Sequence, residues 1–475
     1  MSTIAGPGPS AACAAPWSGL YFRPDGVIAV CCGTWHPIGR ADDPDRPSLR
    51  AIWEGGPAQL QRDALAQGDH GLGCWECGNQ AAAGHRGTSL AAEFDRYLPI
   101  AEPVLPVMLD FALSNRCNLA CTMCNGGLSS TIRQRREGRP ALPLAYDDRF
   151  FAELDELLPT ARRLQFKGGE PFLTPENERI WARLGELGGD REVSITTNGT
   201  VWNERVERWI HDLDPEVIVS VDAIDPAVLE AVRVGVRADR LWATVDALRA
   251  SVRPGALSLS MCLMVPTWQE LAPFLARCNE LDVHASVIWV DGPASFRLLG
   301  AGRDVLEKVA ATWDRADRSV QALRPDLRRW WDDARSRVDA ALEARPATPV
   351  ALRTGDGSTA TDATARLRRR TSGPLLELVY RDQVIDEVIV PSWAEPLEPA
   401  RWKGRGLDET VAVLAGAVDG ALRSEVRPLD HGVHELELRV ERAEGPGEHL
   451  RALYLPADDE REEGRLLGGR ASADA

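Results

Sequence analysis

The sequence predicts an α/β protein: a partial (β/α)6 barrel of the TIM type, preceded by a cysteine-rich N-terminal domain and followed by a C-terminal α+β domain. Three observations support this prediction. Short apolar runs alternate with amphipathic stretches between about residues 105 and 300. Five of the ten cysteines precede residue 80, and strand-like runs return after residue 373.

The barrel prediction depends on six apolar runs separated by helix-period stretches, several of which open with Asp, Asn or Pro. Strands are predicted at 107–114, 163–167, 192–197, 216–222, 256–265 and 284–290, and helices at 147–158, 176–187, 204–212, 226–250 and 269–281. In parallel βα architectures, reactive groups collect where the strands end. We therefore expect an active site at the carboxyl ends of these strands.

The remaining segments suggest four domains in all. We predict an N-terminal domain at 10–100, the barrel at 105–300, a helical extension at 301–345 and the α+β domain at 373–457, with an exposed linker at 346–372. The last domain would have strands at 375–380, 384–390, 435–440 and 451–455 around a helix at 407–422. Its role is open: it could bind a peptide or carrier, cap the site or mediate dimerisation.

Charge and hydropathy exclude several classes of partner. The formal net charge of −16 argues against a nucleic-acid partner held by phosphate contacts. No apolar run reaches membrane-spanning length, and residues 1–10 do not resemble a secretory signal. We therefore predict a cytoplasmic protein without a membrane partner, whose cysteines bind metal rather than form disulfides.

The most specific motif is Cys117-x3-Cys121-x2-Cys124, directly after the first barrel strand. Thiolates hold iron–sulfur clusters, and a [4Fe–4S] cube has four irons. Three local thiolates therefore leave one iron open to a reactant. The alternatives are an incomplete zinc site or three unrelated buried cysteines.

At these residues the sequence resembles the radical SAM superfamily. The resemblance implies a [4Fe–4S] cluster on Cys117, Cys121 and Cys124, whose open iron chelates S-adenosylmethionine. It also implies one-electron cleavage to a 5′-deoxyadenosyl radical, which abstracts hydrogen from a substrate, and a reductant such as ferredoxin or flavodoxin. The residue before the last cysteine, usually aromatic in the family and near the adenine, is Met123 here.

Residues at later strand ends extend the resemblance. Gly168-Gly169-Glu170 matches the family's GGE motif, which contacts the amino group of the methionine moiety. Glycines allow close backbone approach, and a carboxylate accepts hydrogen bonds. Further cofactor contacts are predicted at Thr196, Asn198, Ser220 and Asp222, with turn capping as the alternative for these positions.

A second cysteine set lies in the N-terminal domain. Its order resembles the SPASM/twitch type of auxiliary-cluster domain, here placed before the barrel: Cys13, then Gly26-x4-Cys31, then Cys74-x2-Cys77. We predict that Cys13, Cys31, Cys74 and Cys77 hold an auxiliary [4Fe–4S] cluster. Four thiolates would leave it no open iron. Cys32 is an alternative ligand, and a four-cysteine zinc site is the alternative chemistry.

The combined prediction is a two-cluster oxidoreductase that abstracts hydrogen from a peptide or small-molecule substrate in natural-product or peptide modification. One alternative is a sugar or aminocyclitol dehydrogenase or epimerase of the same superfamily. Some epimerases of the family require a thiol that donates hydrogen; Cys262 is the candidate here, and the default for this cysteine in an apolar strand is a buried, inert thiol. An alternative of another class is a metal-binding scaffold without catalysis.

Overall fold

The computed structural model describes residues 11–82, 86–98, 104–290 and 296–343, and after residue 343 the backbone of nine strands. The chain divides into two compact units. The first contains residues 11–67, 93–298 and 307–338 and carries the predicted barrel; the second contains residues 68–92, 299–306 and the chain from residue 339.

Nine strands of the first unit form one sheet in the order β3-β2-β1-β4-β5-β6-β7-β8-β9. They are β1 (Gly19–Phe22), β2 (Val27–Ala29), β3 (Gly39–Arg40), β4 (Met108–Phe111), β5 (Arg163–Phe166), β6 (Glu192–Thr197), β7 (Glu216–Ser220), β8 (Leu257–Leu263) and β9 (His284–Trp289). Strands β4 to β9 are parallel throughout. The α/β fold class with six parallel barrel strands is confirmed.

The N-terminal strands continue this sheet. Strand β1 is almost wholly apolar and pairs in parallel with β4, while β2 and β3 follow as antiparallel neighbours. The strands of the predicted N-terminal domain therefore share the hydrogen bonding of the barrel. The predicted domain boundaries themselves remain a prediction.

The helices mostly follow the predicted pattern. The described residues include α1 (Ala15–Ser18), α2 (Leu49–Glu54), α3 (Gly56–Ala66), α4 (Trp75–Ala82), α5 (Leu90–Asp95), α6 (Ser130–Arg135), α7 (Asp148–Leu154), α8 (Pro175–Leu187), α9 (Glu204–Leu213), α10 (Pro226–Val232), α11 (Ala238–Ser251), α12 (Leu271–Leu281), α13 (Arg303–Val320) and α14 (Pro325–Leu342). One helix was expected at 226–250, but α10 and α11 replace it. Gly235, with φ +101°, interrupts the helical backbone between them.

The two faces of the sheet differ in chemistry. On one face Phe22, Phe111 and Phe166 stack in a row across β1, β4 and β5, and this row contacts Phe150 of α7 and Trp181 of α8. Directly paired residues of neighbouring strands share a face, and alternate residues change face. By this register the opposite face carries Tyr21, Asp110, Gln165, Thr196, Ser220 and Cys262. We call it the polar face.

The described strands after residue 343 form two antiparallel sheets, ordered β10-β11-β12-β13 and β14-β18-β17-β16-β15. They are β10 (Thr348–Arg353), β11 (Thr359–Arg370), β12 (Gly373–Tyr380), β13 (Gln383–Ile389), β14 (Arg401–Lys403), β15 (Ala421–Pro428), β16 (His434–Glu441), β17 (Glu448–Leu455) and β18 (Glu463–Ala473). Strands β10 and β11 occupy the predicted linker, where threonines favour extended backbone. Of the predicted helix at 407–422, residues 407–420 lie outside the described residues.

None of the helices in the described residues combines the length and the apolar composition that a membrane span requires.

Candidate active site

The three motif cysteines lie in the loop between β4 and α6, at the carboxyl end of the sheet. Each of Cys117, Cys121 and Cys124 is half-buried. The thiols are close enough for Cys117 and Cys124 each to influence the pKa of Cys121. In the described part of the chain, no three His, Cys, Asp or Glu side chains are arranged to hold a single metal ion. Three clustered thiols instead suit a multinuclear centre in which each cysteine binds its own iron.

Side chains in and next to α6 hold the loop by hydrogen bonds. The hydroxyl of Ser129 caps α6 by accepting from the Ile132 amide at 3.2 Å. The carbonyl of Cys117 accepts from the Thr131 hydroxyl at 2.7 Å, and that of Cys124 accepts from the Arg136 guanidinium at 2.6 Å. These contacts fix the first and last cysteines from opposite ends of α6.

The end of α10 holds the middle of the loop. The amides of Ala120 and Thr122 donate to the carbonyls of Val234 and Val232, each at 2.8 Å. The loop therefore pairs with the chain segment that carries Arg233. This backbone pairing places Cys121 next to the end of α10.

Arg233 is a buried cation beside the thiols. Its Nε lies 2.8 Å from Oδ2 of Asp222, which is fully buried, and the amide of Cys262 donates to the other carboxylate oxygen at 2.7 Å. Asp222, a predicted cofactor contact, thus has a hydrogen-bond donor at Oδ1 and an ion-pair partner at Oδ2, although Oδ2 makes no hydrogen bond among the described residues. The arrangement supports a positioning role for Asp222, holding Arg233 against the cysteine loop.

Burial raises the pKa of each of the three thiols, that of Cys121 to about 11, and the Arg233 charge opposes the rise in each case. Neutral thiols are poor ligands, whereas coordination to a metal deprotonates a thiol outright. The site therefore suits a cationic iron centre. The chemistry of the donor set and the adjoining guanidinium both fit a [4Fe–4S] cluster.

The glycine motif packs directly on the cysteine loop. Gly168 has φ +79°, and a Cβ on Gly169 would lie 2.3 Å from the carbonyl oxygen of Arg116. The amide of Glu170 donates to that same carbonyl at 2.7 Å. The two glycines thus allow the end of β5 to touch the residue before Cys117, which a side chain would prevent.

The Glu170 carboxylate points into the protein. It is fully buried and accepts from the Thr197 hydroxyl at 2.7 Å, the Asn198 amide at 2.8 Å and the Phe172 amide at 3.2 Å. Burial raises the pKa of Glu170, and these hydrogen bonds oppose the rise. Glu170 therefore ties the end of β5 to the end of β6; its predicted contact with an amino group remains a prediction.

The other predicted cofactor residues fall into two groups. Thr196 and Ser220 are half-buried on the polar face, at or next to the ends of β6 and β7. Met123 packs with Cys262 against an apolar cluster of Val232, Met264 and Val290. Met123 of the cysteine loop therefore lies near Cys262 of β8. Asn198 instead lies next to Cys117, with its Nδ2 3.7 Å from the cysteine sulfur.

A further charged pair lies on the polar face next to the glycine motif. The ammonium of Lys167 is 2.6 Å from Oδ2 of Asp110, whose side chain is 4% exposed. The same ammonium lies over the ring of Tyr21. Oδ1 of Asp110 makes no hydrogen bond of good geometry among the described residues, and the Cys32 thiol lies within hydrogen-bonding range of the carboxylate. Burial raises the pKa of Asp110, and the Lys167 charge opposes the rise.

Replacing Lys167 with Met should destabilise the fold, because it leaves a buried carboxylate unpaired, at a cost of about 3–5 kcal/mol. A carboxyl group with a raised folded-state pKa favours the folded state at low pH and loses that benefit as pH rises through the folded pKa. The loss of unfolding free energy in Lys167→Met, measured by chemical denaturation, should therefore be smaller at pH 5 than at pH 8. Arg179→Met, which breaks an exposed pair with Asp148, is the control and should cost at most about 1 kcal/mol. Equal losses in the two variants would contradict this account.

The four predicted N-terminal ligands are divided between the two units. In the first unit Cys13 and Cys31 are buried, and the Cys13 sulfur accepts from the Ala15 amide at 3.4 Å. In the second unit Cys74 is buried just before α4, and Cys77 is half-buried one turn later. Their action as one ligand set stays a prediction. Cys32, the alternative ligand, is exposed and lies within electrostatic range of Lys167 and Asp110.

Sequence reasoning missed Arg233, Arg136 and the pair of Lys167 with Asp110. Arg233 and Arg136 lie at the ends of short helices, where arginine is common on exposed surfaces, and Arg136 also follows Arg133 and Arg135 in a basic run. Lys167 and Asp110 belong to different strands, and only the register of β4 and β5 brings them together. The one available signal was the polar Asp110 within the otherwise apolar β4.

Comparison with known proteins gives a family match for the barrel. Residues 111–278 match the Radical SAM superfamily. The chain is 29% identical over 254 residues to GTP 3′,8-cyclase 2 of Mycobacterium tuberculosis, covering 51% of this chain and 64% of that protein. It is 30% identical over 238 residues to molybdenum cofactor biosynthesis protein 1 of Mus musculus, covering 47% of this chain and 35% of that protein. The chain thus spans less than two thirds of the length of either relative.

Among solved structures, SuiB of Streptococcus suis bound to S-adenosylmethionine matches with a TM-score of 0.34 and 15% identity, covering 49% of this chain and 52% of that one. Native anSMEcpe with bound AdoMet matches with a TM-score of 0.33 and 18% identity, covering 44% of this chain and 59% of that one.

Proposed function

We propose that this enzyme cleaves S-adenosylmethionine reductively and abstracts hydrogen from a substrate, because residues 111–278 match the Radical SAM superfamily, whose enzymes use a [4Fe–4S] cluster and S-adenosylmethionine. The observation that carries the proposal is the group of three half-buried thiols at the carboxyl end of the sheet, packed against a glycine pair. A cluster bound there would supply the electron for cleavage.

Each part of the site has a proposed task. Cys117, Cys121 and Cys124 hold the cluster, and Arg233 offsets the negative charge of their thiolates. The end of β5 at Gly168 and Gly169, packed against the cysteine loop, contacts the methionine end of S-adenosylmethionine. Met123, Thr196 and Ser220 contact the rest of that molecule. Glu170 and Asp222 hold the surrounding strand ends in place.

We assign the substrate to the polar face. Buried polar atoms in folded proteins nearly always have hydrogen-bond partners. Oδ1 of Asp110 makes no hydrogen bond of good geometry among the described residues, although the Cys32 thiol, a weak donor, lies within hydrogen-bonding range of this carboxylate. An N–H or O–H group of the substrate would satisfy this oxygen, while the neighbouring Lys167 offers donors. The proposed substrate is therefore a peptide or polar small molecule, and a sugar or aminocyclitol meets the same requirement.

GTP is a second candidate substrate, favoured by one observation. Relatives named GTP 3′,8-cyclase align with as much as half of this chain. The proposal also includes an auxiliary cluster, a reductant such as ferredoxin or flavodoxin, and a cytoplasmic location. The proposed ligands of the auxiliary cluster are Cys13, Cys31, Cys74 and Cys77. A four-cysteine zinc site remains the competing assignment for the N-terminal set.

The test is 5′-deoxyadenosine formation by anaerobically reconstituted protein with dithionite and S-adenosylmethionine, measured by mass spectrometry. We expect slow formation without substrate. Added GTP should accelerate it only if GTP is the substrate; no acceleration would favour a peptide or another small molecule. Reconstituted protein that binds iron but forms no 5′-deoxyadenosine under any condition would favour the scaffold hypothesis.

A further inference from the structure

We propose that Asn198 is a positioning residue that donates an N–H···S hydrogen bond to Cys117 and thereby raises the reduction potential of the cluster. The inference rests on the proposed function. Reduction adds negative charge to a cluster, and hydrogen bonds to its sulfurs are one of the factors that set its potential. A donor aimed at a ligand sulfur stabilises the reduced state more than the oxidised state.

The contact is defined by its geometry. Nδ2 of Asn198 lies 3.7 Å from the sulfur of Cys117, and it also donates to Oδ1 of Asn118 at 3.0 Å. An amide nitrogen has two hydrogens. One hydrogen therefore serves Asn118, and the other is directed to the sulfur.

The orientation of this amide is fixed by its neighbours. Oδ1 of Asn198 accepts from the backbone amide of Thr200 at 2.9 Å. A backbone N–H can only donate, so the oxygen of Asn198 must face Thr200 and the nitrogen must face Cys117. Asn118 is fixed in the same network, because its own Nδ2 donates to the Thr200 hydroxyl at 2.9 Å.

The backbone of Asn198 is anchored as well. Its amide donates to the buried Glu170 carboxylate at 2.8 Å, and its side chain is largely excluded from solvent, with 7% of the residue exposed. Glu170 thus acts on the cluster indirectly. It fixes the backbone of Asn198 at the end of β6, and this places the side-chain amide of Asn198 next to Cys117. This contact gives a predicted cofactor-binding residue a different task.

The experiment compares midpoint potentials of the reconstituted cluster in three variants by EPR-monitored redox titration. Asn198→Leu removes the donor without adding charge, and Asn198→Asp removes it while keeping an acceptor for Thr200. Asn203→Asp is the matched control, because Asn203 caps α9 by accepting from two backbone amides, which aspartate also does. We expect a more negative midpoint in both Asn198 variants, larger for the aspartate, and no shift in the control.

The outcomes separate this inference from the proposed function. Absence of a cluster signal in the unmodified protein would overturn the proposed function itself. An unchanged midpoint in Asn198→Leu, with the cluster signal intact, would overturn the role of the hydrogen bond alone. Loss of iron from both Asn198 variants would also overturn it, because Asn198 would then govern assembly rather than potential.

Discussion

Replacing Cys117, Cys121 and Cys124 together with alanine should remove about four irons per chain and abolish 5′-deoxyadenosine formation. In the proposed site each thiolate binds one iron of the cube, and no other cysteine lies in the loop between β4 and α6. Iron and acid-labile sulfide in anaerobically reconstituted protein measure the first effect, and mass spectrometry measures the second.

Cys278→Ala is the control for this variant. Cys278 is fully buried in α12, outside both cysteine sets, and burial raises the pKa of its thiol to about 12. Its replacement should cost at most about 1 kcal/mol of stability and leave the iron content unchanged. If the triple variant kept its iron, the cluster would have to be assigned to other residues.

The second large effect is expected from Gly169→Ala. The added Cβ would meet the backbone carbonyl of Arg116 at 2.3 Å, so either β5 or the cysteine loop must move. Overpacking of this kind costs about 1–3 kcal/mol, and a displacement near reacting groups can lower a rate about 10²-fold. We expect Gly169→Ala to retain iron less well and to form 5′-deoxyadenosine about 10²-fold more slowly.

Gly185→Ala provides the contrast on α8. No atom lies within 4 Å of a Cβ at that position, and alanine stabilises a helix interior by roughly 0.5–1 kcal/mol relative to glycine. The melting temperature should therefore rise in Gly185→Ala and fall in Gly169→Ala. Full iron retention and activity in Gly169→Ala would refute the proposed close packing.

Local patterns in the sequence were sufficient to predict the barrel. The apolar runs of β4 to β9 and the polar residues that end them follow from short-range periodicity, and the cysteine spacing is itself local. The family match over residues 111–278 agrees with the superfamily, the enzyme class and the cofactors predicted from Cys117 to Cys124 and the glycine motif.

Contacts between distant residues could not be predicted in this way. Strand periodicity indicates that Asp222 ends a strand, but its ion pair with Arg233 depends on how α10 returns to β7. Likewise, Asn198 and Cys117 are 81 residues apart, and their hydrogen bond requires the parallel order of β4, β5 and β6. The break between α10 and α11 was missed because a glycine inside a helical pattern is often tolerated.

The most direct test of the central claim is the EPR spectrum of the dithionite-reduced protein with and without S-adenosylmethionine. If Cys117, Cys121 and Cys124 hold a [4Fe–4S] cluster with one open iron, the reduced protein gives a cluster signal, and its g values change when S-adenosylmethionine binds that iron. A cluster signal that S-adenosylmethionine leaves unchanged, or no cluster signal after full reconstitution, would contradict the account.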